Sequence, residues 1–342
     1  MHELVLRVAA GIFGIAFAAW LALAVTILVE RARYDRLRGE ESGGVRNPRE
    51  ARRLIQRAGR PARTKRATWR RIAALDRLVR AGDPSVRGLL RTALSDPNDE
   101  VAAAGVRALA EVGDDWAVDM LLDALREGRV PRSRVASQLE HLAPLPGTRL
   151  VPLLRDSDPA VRFWGATLLA PYPGLADARL VMMAHDRDPN VRAAAVETLG
   201  VRDTDSARAA ILASIDDPVW YVRVHAARSA GHLLGAAAAP SLVRLLADTR
   251  WWVRTAAKDA LRGIGPDAVP SLLSTLTDED VFARNGAAEV LQDIGFVDSL
   301  ASDRPDSPLL ERIYAAGGEH MRAAAEQRIA RQERGGTEVR AA

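Results

Sequence analysis

Cysteine is absent from the 342 residues. That excludes disulfides, thiolate metal sites and thiol redox chemistry, and it fits a cytoplasmic setting. Lysine is nearly absent: Lys65 and Lys258 stand alone among 48 basic residues. Neither lies in a Gly-x4-Gly-Lys context, so no phosphate loop is present. No Gly-x-Ser-x-Gly elbow occurs. The six histidines are His2, His141, His185, His225, His232 and His320, and none pairs with another at the three- or four-residue spacing of a helix-borne metal site. His225 and His232, seven apart, fall on one face of a predicted helix. Aromatic residues make up only 5%, as suits thin helix layers filled by Ala and Leu. The sequence therefore offers no catalytic constellation, no metal site and no cofactor site.

What is present is a repeat. An Asp-x5-Arg pair returns as Asp156/Arg162, Asp186/Arg192, Asp217/Arg223, Asp248/Arg254 and Asp278/Arg284, with successive arginines 30, 31, 31 and 30 residues apart. A period of that size means stacked small units rather than one closed core. The clearest unit runs from Asp188-Pro189-Asn190-Val191-Arg192 to Leu199-Gly200. Asp caps free backbone N–H groups, Pro suits the first helical turn, and Gly200 reads as a stop. Val191, Ala194, Ala195, Thr198 and Leu199 follow helical spacing. A shorter helix precedes each unit, and Pro240 and Pro270 either open or bend it. The expected fold is all-α, a solenoid of helix pairs.

The Asp-Pro-x-Val-Arg-x-x-Ala-Ala-x-x-Leu-Gly frame resembles the bacterial HEAT-like repeats, of the kind also found in phycobilisome lyases. The resemblance covers residues 67–305, about eight units. The first three are degenerate: Asp96 has Ala102 where Arg belongs, and Arg132 lacks an Asp six residues earlier. In that family the Asp and Arg link neighbouring repeats, and the resemblance assigns this role to the five pairs above. The iron-binding HEAT-like hydroxylases carry repeated His-Glu pairs, whereas this chain has only His2-Glu3. A chromophore-lyase activity stays open on the repeat type alone.

Charge is distributed unevenly. Residues 8–29 form an uncharged run of 22 residues, about 33 Å long as a helix, enough to cross a bilayer. Its apolar sequence continues past Ala22-Leu23-Ala24, which argues for an uncleaved anchor rather than a signal peptide. Residues 30–80 then hold 17 basic against 6 acidic residues, a net of +11. The whole chain is +4 and residues 1–29 sum to zero, so residues 81–342 carry −7. The expected division is an anchor within 1–29, a basic linker at 30–66, repeats at 67–305 and a capping tail at 306–342. The linker is either in contact with anionic lipid or a solvated spacer. Ala10, Gly14, Ala18 and Ala22 make a small-residue stripe in the span.

Trp220-Tyr221 and Trp251-Trp252 fill the two positions before the Val-Arg step in adjacent repeats, and Phe282 holds the second position in the next. They read either as staples of the helix start or as a docking strip for a protein partner. One ring of each pair is expected to pack inward. Arg107, Glu197, Arg228, Asp259 and Glu289 occupy equivalent second-helix positions with mixed sign, which does not make a phosphate track, so no nucleic acid is expected. The sequence thus points to a membrane-anchored cytoplasmic scaffold, with a lyase-type enzyme as the alternative. The positive flank sets orientation. A reporter fused after Ala342 should be active in the cytoplasm and fractionate with membranes; protease attack on the C-terminus from outside would overturn this topology.

Overall fold

The computed structural model describes residues 65–318, apart from 81, 83–85, 143–144 and 146, together with 321 and 323. The expected anchor at 8–29, nearly all of the basic linker and the end of the tail lie outside the described residues. Among the described residues every regular element is helical and there is no strand. The chain divides into two compact units, residues 1–145 and 146–342.

In the first unit, α1 (Lys65–Arg80), α2 (Val86–Leu94), α3 (Asp99–Val112), α4 (Asp115–Glu127) and α5 (Arg132–His141) follow one another. Local chemistry sets their limits. Asn98 accepts from the N–H groups of Glu100 and Val101 and starts α3, while Asp114 accepts from Ala117 N–H and starts α4. Gly113 and Gly128, both left-handed, end those helices. Ile72, Leu75, Leu90, Val101, Leu109, Leu121 and Leu125 fill the core.

The second unit starts with short 3₁₀ turns at Gly147–Arg149 and Val151–Arg155. It continues through α6 (Pro159–Leu168), α7 (Asp177–Met183), α8 (Pro189–Leu199), α9 (Asp205–Ser214) and α10 (Trp220–Leu234). Then come α11 (Ala239–Arg244), α12 (Trp251–Ile264), α13 (Val269–Thr275), α14 (Val281–Asp293) and α15 (Phe296–Asp303). The longer helices α6, α8, α10, α12 and α14 pack side by side in that order, each backed by a shorter partner. The residue before each repeat arginine is the core anchor: Val161, Val191, Val222, Val253 and Ala283 are all at most 1% exposed. Burying each valine stabilises by about 1.5–2 kcal/mol. Pro240 and Pro270 are the second residues of α11 and α13, where a missing N–H costs nothing, so they open these helices rather than bend them.

Two glycine positions show different physics. Gly235 and Gly265 have φ of 53° and 72° with ψ of −131° and −138°, a region closed to side chains, and they turn the chain out of α10 and α12. Gly200, expected as a stop of the same kind, instead has a right-handed φ of −59°. Its requirement is space: a Cβ there would lie 2.6 Å from Ser229 Oγ. Close approach lets Ser229 Oγ donate to Val196 O at 3.1 Å, and Thr198 Oγ1 likewise donates to Ala166 O at 3.0 Å. Residues Trp220–Ala247 contain an 18-residue window of mean hydropathy 1.3 and are, by length and composition alone, long and apolar enough to cross a membrane. Here they form α10, the Gly235 turn and α11, and the apolar side chains Val222, Ala226, Ala227, Leu242 and Leu246 belong to the unit's core.

Among the described residues of the second unit, the Arg202 charge is buried outright. The Arg202 side chain has no exposure, its Nη2 donates to Leu169 O at 2.5 Å, and its Nε lies 3.4 Å from Asp177 Oδ1. Nε and Nη1 have no hydrogen-bond partner. Desolvation pulls the Arg202 pKa down against the opposing charge of Asp177. A buried, incompletely bonded pair stabilises little as a unit, yet is costly to break from one side. The double replacement Arg202→Met with Asp177→Leu should therefore stay within about 1 kcal/mol of the parent, whereas Asp177→Ala alone, which leaves the guanidinium buried without its partner, should lose about 3 kcal/mol. Thermal melts of the two full-length variants check this, and the reverse order would refute it.

Candidate functional site

The repeat arginines act between repeats. Arg162 sets Nε and Nη2 on the Asp186 carboxylate at 2.9 and 2.8 Å. Arg192 does the same to Asp217 at 2.7 and 2.9 Å, and Arg223 to Asp248 at 2.7 and 2.9 Å. Each arginine also reaches back through Nη1 to the carbonyl of the Asp six residues before it: Asp156, Asp186 and Asp217. The sequence pairs are therefore not ion pairs. Each guanidinium holds its own turn by a carbonyl and the following turn by a carboxylate.

The acceptor is preset. Oδ1 of Asp156, Asp186, Asp217, Asp248 and Asp278 takes the backbone N–H two residues on, at 2.8–2.9 Å. At Asp186 burial pushes the carboxyl pKa up, but the Arg162 fork and the Asp188 N–H outweigh it and hold it below the usual range. That rung contributes stability above the ordinary carboxylate pKa, and the contribution is lost as pH falls through the depressed value. A further rung exists in the first unit: buried Arg71 donates to Asp96 Oδ2 at 3.0 Å. The sequence pattern hid it, because Lys65 stands six residues before Arg71 where the repeat has Asp.

The ladder changes at Arg254. Its Nη1 bonds Asp248 O at 2.8 Å as expected. Its guanidinium, however, sits 4.3 Å from the centre of the Phe282 ring, and no ion pair joins it to Asp278. Arg284 donates to the carbonyls of Asp278 and Glu279 at 2.7 and 2.9 Å.

The five sequence-singled aromatics lie along this edge. Trp220 and Tyr221 meet edge to face at 5.6 Å, and both are half-buried. Trp251 and Trp252 meet edge to face at 4.6 Å with 54% and 60% exposure. Phe282 is 56% exposed and Val281 beside it 53%. The expectation of one inward ring per pair is thus wrong for both. The valine that follows each pair takes the core position, so the rings pack on each other instead. Neither α10 nor α12 has a side-chain N-cap. A cleft of about 140 Å³ runs between Trp251 and Phe282, with Arg254, Thr255, Lys258 and Glu289 along it, and Thr255 Oγ1 is buried there without a hydrogen-bond partner.

Other singled-out charges turn out to be paired across helices. Lys258 Nζ meets both Glu289 oxygens at 2.8–2.9 Å. Arg262 reaches Asp293 of α14 at 2.6 Å and, within its own helix, Asp259 at 2.6 Å. His225 Nδ1 lies 3.3 Å from Glu197 Oε2, and His232 Nδ1 lies 3.3 Å from Gly200 O, so the two histidines serve separate contacts to α8. Among the described residues no group of three or more His, Asp or Glu is placed to hold a metal ion.

The family model for HEAT repeats matches residues 51–140 and 176–262, together more than half of the chain. The chain belongs to the HEAT-repeat proteins. The first match begins inside the stretch assigned above to the basic linker. No curated protein matches the chain. Among solved structures, Kap95p with RanGDP is similar at TM-score 0.56 and 13% identity, over 84% of this chain and 47% of that one. The Kap95–Nup1 complex gives 0.53 and 12% with the same coverage. This chain spans about half the length of Kap95p, and the likeness concerns the fold alone. Human deoxyhypusine hydroxylase in complex with glycerol reaches only 0.31 at 20% identity, over 74% of this chain and 99% of that one.

The ladder yields a ranking. Arg223→Ala strands the Asp248 carboxylate, which is 9% exposed, and should cost about 3 kcal/mol. Arg254→Ala removes a stack on an exposed ring and one carbonyl bond, and should cost about 1 kcal/mol. Equal losses of melting temperature would show that the two arginines carry the same load.

Proposed function

We propose that this chain is a membrane-anchored scaffold or adaptor whose repeats lie in the cytoplasm and dock a protein partner along the starts of α12 and α14. One observation carries the docking surface. Trp251, Trp252, Val281 and Phe282 are each more than half exposed, and they are four of the six exposed large hydrophobic residues among those described. Exposed apolar side chains gathered on one edge mark an interaction site far more than scattered ones do. Trp220 and Tyr221 extend the strip but are half-buried, so they act partly as support. Kap95p, of similar fold, is solved with RanGDP and with Nup1, and a scaffold of stacked helices suits that kind of work.

The anchor rests on the sequence: the uncharged run at 8–29, followed by the net +11 of residues 30–80. The partner is then a protein at the membrane, with the linker free to touch anionic headgroups. A lyase-type enzyme, the alternative, rests on the repeat frame alone, and a shared scaffold does not carry shared chemistry.

The test is crosslinking of the full-length chain in native membranes. Trp252→Ala and Phe282→Ala should reduce recovery of the partner at least tenfold without lowering the melting temperature. Trp220→Ala should lower the melting temperature. Undiminished recovery from both of the first two variants would place the binding surface elsewhere.

A further inference from the structure

The docking reading above leaves open what the partner presents, and the ladder supplies an answer. Three times among the described residues an aspartate at the head of a repeat receives an arginine fork: Asp186 from Arg162, Asp217 from Arg192 and Asp248 from Arg223. Each acceptor is oriented by the N–H two residues on. Asp278 has the same orientation, with Asp280 N–H on Oδ1 at 2.8 Å, but the arginine due to it, Arg254, lies over Phe282. Among the described residues neither Asp278 nor Glu279 has a cation on its carboxylate, because Arg284 is held at their backbone carbonyls. Both are exposed, and they lead directly into Val281 and Phe282, with Trp251 across the cleft.

We infer that Asp278 is an arginine socket for the docked partner: a segment of another protein carrying an arginine flanked by aliphatic side chains seats its guanidinium on Asp278 and covers the Trp251, Trp252 and Phe282 rings. The proposal rests on the docking reading and names its chemistry. The carboxylate is already aimed as in the three filled rungs. Arginine matches a carboxylate with two parallel bonds and stacks on aromatic faces, which lysine does neither as well. An acidic segment would meet Asp278, Glu279 and Asp280 and be repelled. The aliphatic neighbours follow from the exposed apolar rings, which need apolar cover. Arg254, stacked on Phe282, keeps the chain's own guanidinium out of the socket.

The probe is a capped pentapeptide, Ser-Leu-Arg-Leu-Ser, with a twin carrying citrulline, a neutral isostere, in place of arginine. Both are titrated into the full-length chain while tryptophan emission is followed. The arginine peptide should bind about tenfold or more tightly than its twin. Asp278→Asn keeps the Oδ1 acceptor for Asp280 N–H and removes only the charge; it should abolish the preference at unchanged melting temperature. Equal affinity of the twins, a preference that survives in Asp278→Asn, or no response to either peptide at about 1 mM would each overturn the socket. The membrane crosslinking separates this inference from the reading beneath it. Recovery lost in Trp252→Ala but kept in Asp278→Asn would leave the docking surface standing and remove the arginine. Recovery kept in both would remove both.

Discussion

The second unit depends on a guanidinium that belongs to one repeat and closes on the next. A repeat of about 30 residues cannot bury enough apolar surface to stand alone, so its neighbours must supply the rest. Apolar contact between helices is non-directional and would tolerate sliding. The Arg fork is directional: its two bonds to the next carboxylate, with a third to its own turn, fix the step from repeat to repeat. The carboxylate is fixed in turn by a backbone N–H, so neither partner must search for its geometry. Because each rung is partly shielded from water, its loss is felt more than that of a surface ion pair.

Around this link the other features fall into place. The small apolar residue before each repeat arginine, valine in four and Ala283 in the fifth, takes the core, which turns the two preceding residues outward at the head of the helix. In α6 and α8 those outward positions hold Pro and a small residue, and Asp158 or Asp188 caps the helix. In α10 and α12 they hold aromatic pairs and the side-chain cap is missing. At α12 the aromatic pair thus replaces a local stabilising device with exposed apolar surface, a local inconsistency of the kind that marks functional positions, whereas α14 keeps its Asp280 cap beside Val281 and Phe282.

Much of this was legible in the residues. Strict spacing of Asp and Arg announced the repeat, and the Asp-Pro starts and apolar periodicity placed the helices. The direction of the ladder was not legible, because the pair close in sequence is six residues apart while the bonded pair is 24 or 25 apart. Arg71 was hidden by the substitution at Lys65. The break at Arg254 depends on whether a ring four residues beyond Asp278 captures the guanidinium, which no spacing reveals. Burial of Arg202 had no signal, since its surroundings form only when α6, α7 and α8 pack. Gly200 looked like Gly235 and Gly265 on paper, yet it answers to the hydroxyl of a helix one repeat away.

Gly235 and Gly265 carry a consequence for how such a chain changes over generations. The two turns share one backbone geometry at corresponding points of neighbouring repeats, so the segment between them begins and ends in the same way. A gene segment cut at those codons and copied in tandem would join to itself without a new kind of junction. Length can then vary by whole repeats, and because the copied segment carries Trp251 and Trp252, each copy would lengthen the aromatic edge as well. Reach and recognition would then grow together in the lineage.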